Sequence, residues 1–236
     1  VVVEGYLEGP EFSFMCFVDG KNVYPMVLAQ DHKRAYEGDE GPNTGGMGAY
    51  SPVPLISGSD MEYALERIMR PTAEAMVEEG VPFSGVLYGG LIKTPDGIKV
   101  IEFNARFGDP ETEVVLPRLK SDIYDVFRNI ADGKPVEVEW HDFATLGIVL
   151  ASKGYPGDYA KGFPILGLDN MDAQVYHMGT GIKDGGLVTA GGRVLFVVGK
   201  GDNLAEARAN ALAEVAKIEC GNLFYRRDIG WQVVGE

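Results

Sequence analysis

From Ile101 to Arg106 apolar and polar residues alternate with a period of two, and a strand is predicted over 98–103. It would present Glu102, Asn104 and Arg106 on one face and Ile101, Phe103 and Ala105 on the other. Residues 86–93 form a mostly apolar run upstream, and the Thr94-Pro-Asp-Gly97 turn between the two predicts a hairpin. Further strands are predicted over 1–7, 12–18 and 23–29, separated by turns at 8–10 and 19–22. Residues 31–54 are rich in glycine, proline and charge and lack periodicity, which predicts a long loop; such loops are usually functional or disordered. Residues 60–79 read as a helix capped by Ser59 or Asp60, stopped at Gly80 and kinked or split by Pro71. A short helix is predicted over 121–132.

Pro135 and the polar stretch 137–142 punctuate the chain and predict two domains, 1–137 and 138–236. Strands are expected over 144–151, 173–177 and 193–198. A helix over 204–218 would bury Leu204, Ala207, Ala211, Val215 and Ile218. Asn203 and Glu206 fit part of a capping box at its start.

Composition narrows the class. The chain has 236 residues, 45% hydrophobic and 24% charged, enough to bury a core. No apolar run approaches the ~18 residues of a membrane span, and no basic-then-apolar leader is present. Cys16 and Cys220 have neither metal-ligand spacing nor a disulfide framework, so a reduced, cytoplasmic setting is expected. A net charge of −14 disfavours nucleic acid as a partner. An anionic ligand must then be met locally, and Lys33, Arg34 and Arg106 are the obvious cations.

The chemistry concentrates on the alternating strand. A carboxylate and an amide oxygen at the spacing of Glu102 and Asn104 suit a hard cation such as Mg2+. Arg106 offers a planar fork for phosphate or carboxylate. The alternative is a solvated strand face. Asp31-His-Lys-Arg34 is either a charged turn or an anion site, and its two cations oppose metal binding by His32. The glycines of Asn43-Thr-Gly-Gly-Met-Gly48 would let backbone N–H groups approach a phosphate, or would simply make a flexible linker.

Glu102-Phe-Asn-Ala-Arg-Phe-Gly-Asp-Pro-Glu111 resembles the metal-and-phosphate strand of the ATP-grasp ligases. With Gln30-Asp-His-Lys-Arg34 and Gly41-Pro-Asn-Thr-Gly-Gly-Met-Gly-Ala-Tyr-Ser-Pro52 it is similar to the glycinamide ribonucleotide synthetase family of purine biosynthesis. Gly154-Tyr-Pro-Gly-Asp158, His177-Met-Gly-Thr180, Gly191-Gly-Arg-Val194 and Arg227-Asp-Ile-Gly-Trp231 fit the same family. The resemblance implies an α+β fold: the carboxy-terminal lobe of an ATP-grasp domain, then a small strand-rich domain. It implies ATP-dependent joining of glycine to 5-phosphoribosylamine through a glycyl phosphate, with Mg2+ or Mn2+ on Glu102 and Asn104. Glu4, Gly5, Tyr6 and Leu7 would line adenine, and Glu11 would hold the ribose. Arg34 and Asn43 would contact ATP, and Arg106, Asp31 and Lys33 would face the reacting groups. Gly5 stands where family members commonly carry a second acidic residue. Arg193 is open between a surface role and a substrate contact. The family also has a glycine-rich lobe before this segment, so the chain is expected to be the carboxy-terminal part of a longer enzyme and inactive alone. Two alternatives stay open: another ATP-grasp carboxylate–amine ligase, and an inactive nucleotide-binding fragment.

Overall fold

A computed structural model of the chain describes residues 3 and 5–234 and shows an α+β fold. Two compact units form, and both are discontinuous in sequence. The first comprises Val1–Gln30, Val53–Gly108 and Leu119–His141; the second comprises Asp31–Pro52, Asp109–Arg118 and Asp142–Glu236. Compactness therefore divides the chain differently from a single cut near residue 137.

The first unit is built on a four-stranded antiparallel sheet in the order Asn22–Pro25, Glu11–Asp19, Ser84–Thr94, Gly97–Asn104. The strand Glu11–Asp19 is apolar throughout its middle because both of its faces are covered; Phe14, Met15, Cys16 and Phe17 are all at most 1% exposed. Phe17 meets Phe127 edge-to-face with centroids 5.8 Å apart, and Phe107 at 6.4 Å. Described residues before Pro10 form no strand, contrary to the expectation for 1–7, and all of them are exposed. Val1, Val2 and Glu4 lie outside the described residues.

The helical segment begins at Gly58, capped by Ser57 rather than by Ser59 or Asp60. The Ser57 side chain accepts from the Asp60 N–H while the Asp60 carboxylate accepts from the Ser57 N–H, a complete capping box. Pro71 sits in the first turn of the closing segment, Arg70–Glu78. A π-turn over Leu65–Met69 directly precedes it, so the wider helical register absorbs the residue that cannot donate a backbone bond.

In the second unit the principal strands run in the order Gln174–His177, Arg193–Gly201, Ala144–Ser152, Gly48–Ser51. The predicted loop 31–54 is thus partly sheet: it also contains a hairpin of Arg34–Tyr36 and Glu40–Asn43. Gly48 allows its strand to pair closely with Ala144–Ser152, since a Cβ there would stand 2.7 Å from both the Gly147 carbonyl and Ile229. The helix Leu204–Val215 buries Leu204, Ala207, Ala211 and Val215 as the spacing predicts, and Ile218 falls beyond its end. Asn203 caps it, but the Glu206 carboxylate reaches the N–H of Asp202 rather than that of Asn203. Among the described residues no helix is long and apolar enough to cross a membrane.

Candidate functional site

The strand Gly97–Asn104 is the outer strand of its sheet, which leaves one side without a backbone partner in that sheet. Its pairing with Ser84–Thr94 slips between Gly90 and Leu91, so that Glu102 faces Gly90 and Val100 faces Leu91, with Ile101 extra. The irregularity parts two residues expected to share a face. Ile101 lines one hollow with Tyr6 and Glu11, while Phe103 lines another against the helix Arg70–Glu78. Glu102 and Asn104 stay together: the Asn104 side-chain amide donates to Glu102 Oε1 at 2.9 Å. Gly90 makes room for them, because a Cβ there would come within 3.3 Å of Glu102 Cγ. The strand ends at Asn104, so Arg106 stands on the following bend and not on the strand face. It is exposed, and its Nη1 donates to the Phe107 carbonyl at 2.8 Å.

Glu102 and Asn104 offer only hard oxygen donors when the amide oxygen is turned inward, and they lie close enough to share one ion. This set fits Mg2+ or Mn2+, with waters and phosphate oxygens filling the remaining positions. Among the described residues no cluster of three or more His, Cys, Asp or Glu offers a rival metal site.

Gly5, Tyr6 and Leu7 border a hollow of about 470 Å³ that Glu11 also lines. Lys99 lines it as well, a cation that sequence reasoning passed over because it reads as the polar half of a hairpin. The expected contact at Glu4 lies outside the described residues. A hollow of this size, mainly apolar with one acid and one base, is suited to a small organic ligand.

The second unit carries the other group. Arg34 and Asn43, nine positions apart in sequence, are directly opposed across the short hairpin. Arg34 Nη1 also donates to the Gly41 carbonyl at 2.7 Å. The loop that follows is pinned back on the segment before the hairpin: the N–H and hydroxyl of Thr44 both donate to the Lys33 carbonyl, at 2.7 and 2.8 Å. Asp31 and Lys33 are half-buried. Arg193 is half-buried and is tied to its surroundings through Nη1. Its Nη1 pairs with Asp109 Oδ1 at 2.9 Å and donates to the Gly45 carbonyl at 2.7 Å, while the Gly45 N–H donates to the Tyr155 hydroxyl at 2.9 Å. Both backbone groups of Gly45 are therefore held. Arg193 and Asp109 are 84 residues apart, so no local signal could have paired them. Nearby, burial and the carboxylates Asp109 and Glu111 push the Glu113 carboxyl up to about 7. Its Oε2 is buried without a hydrogen-bond partner.

Residues 1–112 match the family described as phosphoribosylglycinamide synthetase, ATP-grasp (A) domain, and residues 145–232 match the phosphoribosylglycinamide synthetase C domain. The chain is 55% identical over 238 residues to a phosphoribosylamine–glycine ligase of Halalkalibacterium halodurans, covering all of this chain and 56% of that protein. It is 49% identical to the trifunctional purine biosynthetic protein adenosine-3 of Bos taurus, over 99% of this chain and 24% of that one. A crystal structure of phosphoribosylamine–glycine ligase from Thermotoga maritima superposes with a TM-score of 0.88 at 36% identity, covering 95% of this chain and 56% of the other. The biotin carboxylase domain of Hydrogenobacter thermophilus 2-oxoglutarate carboxylase shares the fold, with a TM-score of 0.65 at 14% identity. The chain spans about half the length of the curated phosphoribosylamine–glycine ligases it matches.

Proposed function

The chain belongs to the phosphoribosylglycinamide synthetase family, and from that premise we propose that it supplies the ATP and metal residues of an enzyme that joins glycine to 5-phosphoribosylamine. The observation that carries the reading is the Glu102–Asn104 pair, kept together on an outer strand opposite a glycine that leaves it room. Adenine lies in the hollow beside Gly5, Tyr6 and Leu7, with Glu4 on the same segment. Glu11 accepts hydrogen bonds from the ribose hydroxyls. Arg34 and Asn43 contact the ATP phosphates. Arg106, Asp31 and Lys33 face the reacting groups. The chain spans about half the length of its curated relatives, and in an enzyme of their full length the remainder would supply a lobe that covers the phosphates.

The reaction needs no protein nucleophile. The glycine carboxylate attacks the terminal phosphorus of ATP and releases ADP; the amine of phosphoribosylamine then attacks the glycyl carbonyl and releases phosphate. The residues act by positioning and by neutralising charge on the transferring group. When bound at Glu102 and Asn104, Mg2+ or Mn2+ neutralises negative charge on the phosphates. Arg106 presents its fork to the transferring phosphoryl group or to the glycine carboxylate, a role that a lysine fills poorly.

In an enzyme of the relatives' full length, Glu102→Gln should lower the rate on the order of 10²–10³ at limiting Mg2+ while leaving the melting temperature unchanged, since the side chain is exposed. Asn104→Ala should act in the same direction. Turnover equal to wild type across the Mg2+ titration would remove the metal assignment.

A further inference from the structure

The hairpin Arg34–Tyr36/Glu40–Asn43 has few apolar contacts to hold it in place, chiefly the half-exposed Tyr36 ring, whose centroid lies 6.2 Å from that of Phe224. Of its strand residues only Ala35 is buried. A two-stranded hairpin of three and four residues is marginal by itself. Its tip is also unusual: Gly38 and Asp39 are both left-handed, with φ of +70° and +56°. The rest of what holds it is polar and comes from the far end of the sequence, from the Arg226-Arg-Asp-Ile-Gly-Trp231 stretch.

Arg226 is 1% exposed. Its Nε and Nη2 donate to Asp228 Oδ1 and Oδ2 at 2.8 and 2.7 Å, a two-pronged pairing that fixes the plane of the guanidinium. Nη1 then reaches the hairpin, pairing with Asp39 Oδ1 at 2.8 Å and donating to the Arg34 carbonyl at 3.0 Å. Asp39 Oδ2 accepts from Trp231 Nε1 at 3.0 Å. The Gly38 N–H donates to Asp228 Oδ2 at 2.8 Å, and Glu37 Oε1 accepts from the Arg227 N–H at 3.0 Å. His32 closes the ring: its Nε2 accepts from the Gly230 N–H at 2.9 Å, which leaves the ring proton on Nδ1, facing Asp39 Oδ1 at 3.4 Å. Every residue from Glu37 to Asp39 is thus bound to the segment 226–231.

A buried ion pair is a poor device for stability alone, because its desolvation offsets most of its attraction. It is a good device for fixing one geometry. We infer that residues 226–231 form a clasp that holds the Arg34–Asn43 hairpin in register, making Arg226 and Asp228 positioning residues for the contacts of Arg34 and Asn43 with ATP. This rests on the proposed function of the hairpin. The clasp does not touch the substrate; it acts through the Arg34 carbonyl and the tip.

The test uses an enzyme of the relatives' full length. Asp228→Asn keeps the shape but weakens the pairing; Trp231→Phe removes a single N–H and guards against misfolding of the first variant. Asp228→Asn should raise KM for ATP about ten-fold, with kcat and KM for glycine within about two-fold of wild type. Trp231→Phe should shift KM for ATP in the same direction by less, and amide exchange over residues 34–43 should quicken in both. Arg226→Lys should raise KM for ATP as Asp228→Asn does, since lysine keeps the charge but lacks the fork. A lowered melting temperature with an unchanged KM for ATP would reduce the clasp to a structural element and overturn the inference. Arg34→Ala separates the two claims. If it raises KM for ATP and Asp228→Asn does not, the clasp alone fails; if Arg34→Ala has no effect, the reading of the hairpin fails and the clasp's role in ATP use fails with it.

Discussion

Glu102 and Asn104 show how a strand's period brings two polar side chains together. Alternate positions share a face, and the slip in pairing at Gly90 lies upstream of both, so it leaves their relation intact. Arg106 sits one further period on, but the strand has ended, and its guanidinium turns to the neighbouring carbonyl of Phe107. The two cysteines separate in the same residue-by-residue way. Burial pushes the Cys16 thiol far above its ordinary range, and it is fully enclosed, whereas Cys220 is only half-buried. A maleimide reagent should therefore label Cys220 on the native protein and reach Cys16 only after unfolding, as peptide mass spectrometry would show. Equal labelling of both without denaturant would contradict the enclosed core strand. The Glu102–Asn104 pairing was legible in the sequence because its signal is local. Lys99 in the same hollow as Glu11, and the Arg193–Asp109 pair, were not, because each depends on segments brought together only by folding.

At the scale of elements, the best-predicted pieces are those long enough to show a period. The helix Leu204–Val215 has four buried positions at helical spacing, and the strands Ser84–Thr94 and Ala144–Ser152 are long apolar runs. The hairpin between Arg34 and Asn43 was hidden because strands of three and four residues offer too few positions for alternation to register. Its register is set instead by the tail segment that clasps it. Close packing of elements also depends on glycines whose purpose no window of sequence reveals. The helix Leu204–Val215 lies so near its strand that a Cβ on Gly199 would stand 2.5 Å from the Ala211 nitrogen and 3.0 Å from its Cα. Backbone cannot yield there without moving the helix. Gly199→Ala should lower Tm by on the order of 10 °C in a thermal melt, and a Tm within about 2 °C of wild type would mean that the helix shifts freely.

Across the whole molecule, the interleaving of the two units is the feature least visible in sequence. Segments 31–52 and 109–118 belong with the strand-rich unit, and Gly48–Ser51 pairs with a strand that begins at Ala144. Such long-range pairing leaves no local trace, whereas the polar stretch near residue 137 does. One buried group gives the molecule a pH dependence of its own. Glu113 titrates near 4.5 when unfolded and about 7 when folded, so between these values the native state keeps a proton that the unfolded chain has released. The stability it contributes is complete below about 4.5 and is lost as pH rises through about 7. Glu113→Gln should flatten that slope and, near pH 8, stabilise by about 1 kcal/mol after allowance for screening. Urea unfolding at several pH values measures this, and an unchanged slope would show that Glu113 is not the group responsible.

The central claim is that these residues serve the joining of glycine to 5-phosphoribosylamine. Its most direct test is ADP release by the chain joined to the part of its relatives that it does not span, measured with each substrate omitted in turn. ADP and glycinamide ribonucleotide should appear in equal amounts, and only when ATP, Mg2+, glycine and phosphoribosylamine are all present; the chain by itself should form none. Product formation with a different carboxylate–amine pair but not with glycine and phosphoribosylamine would contradict the account, as would turnover by the chain alone.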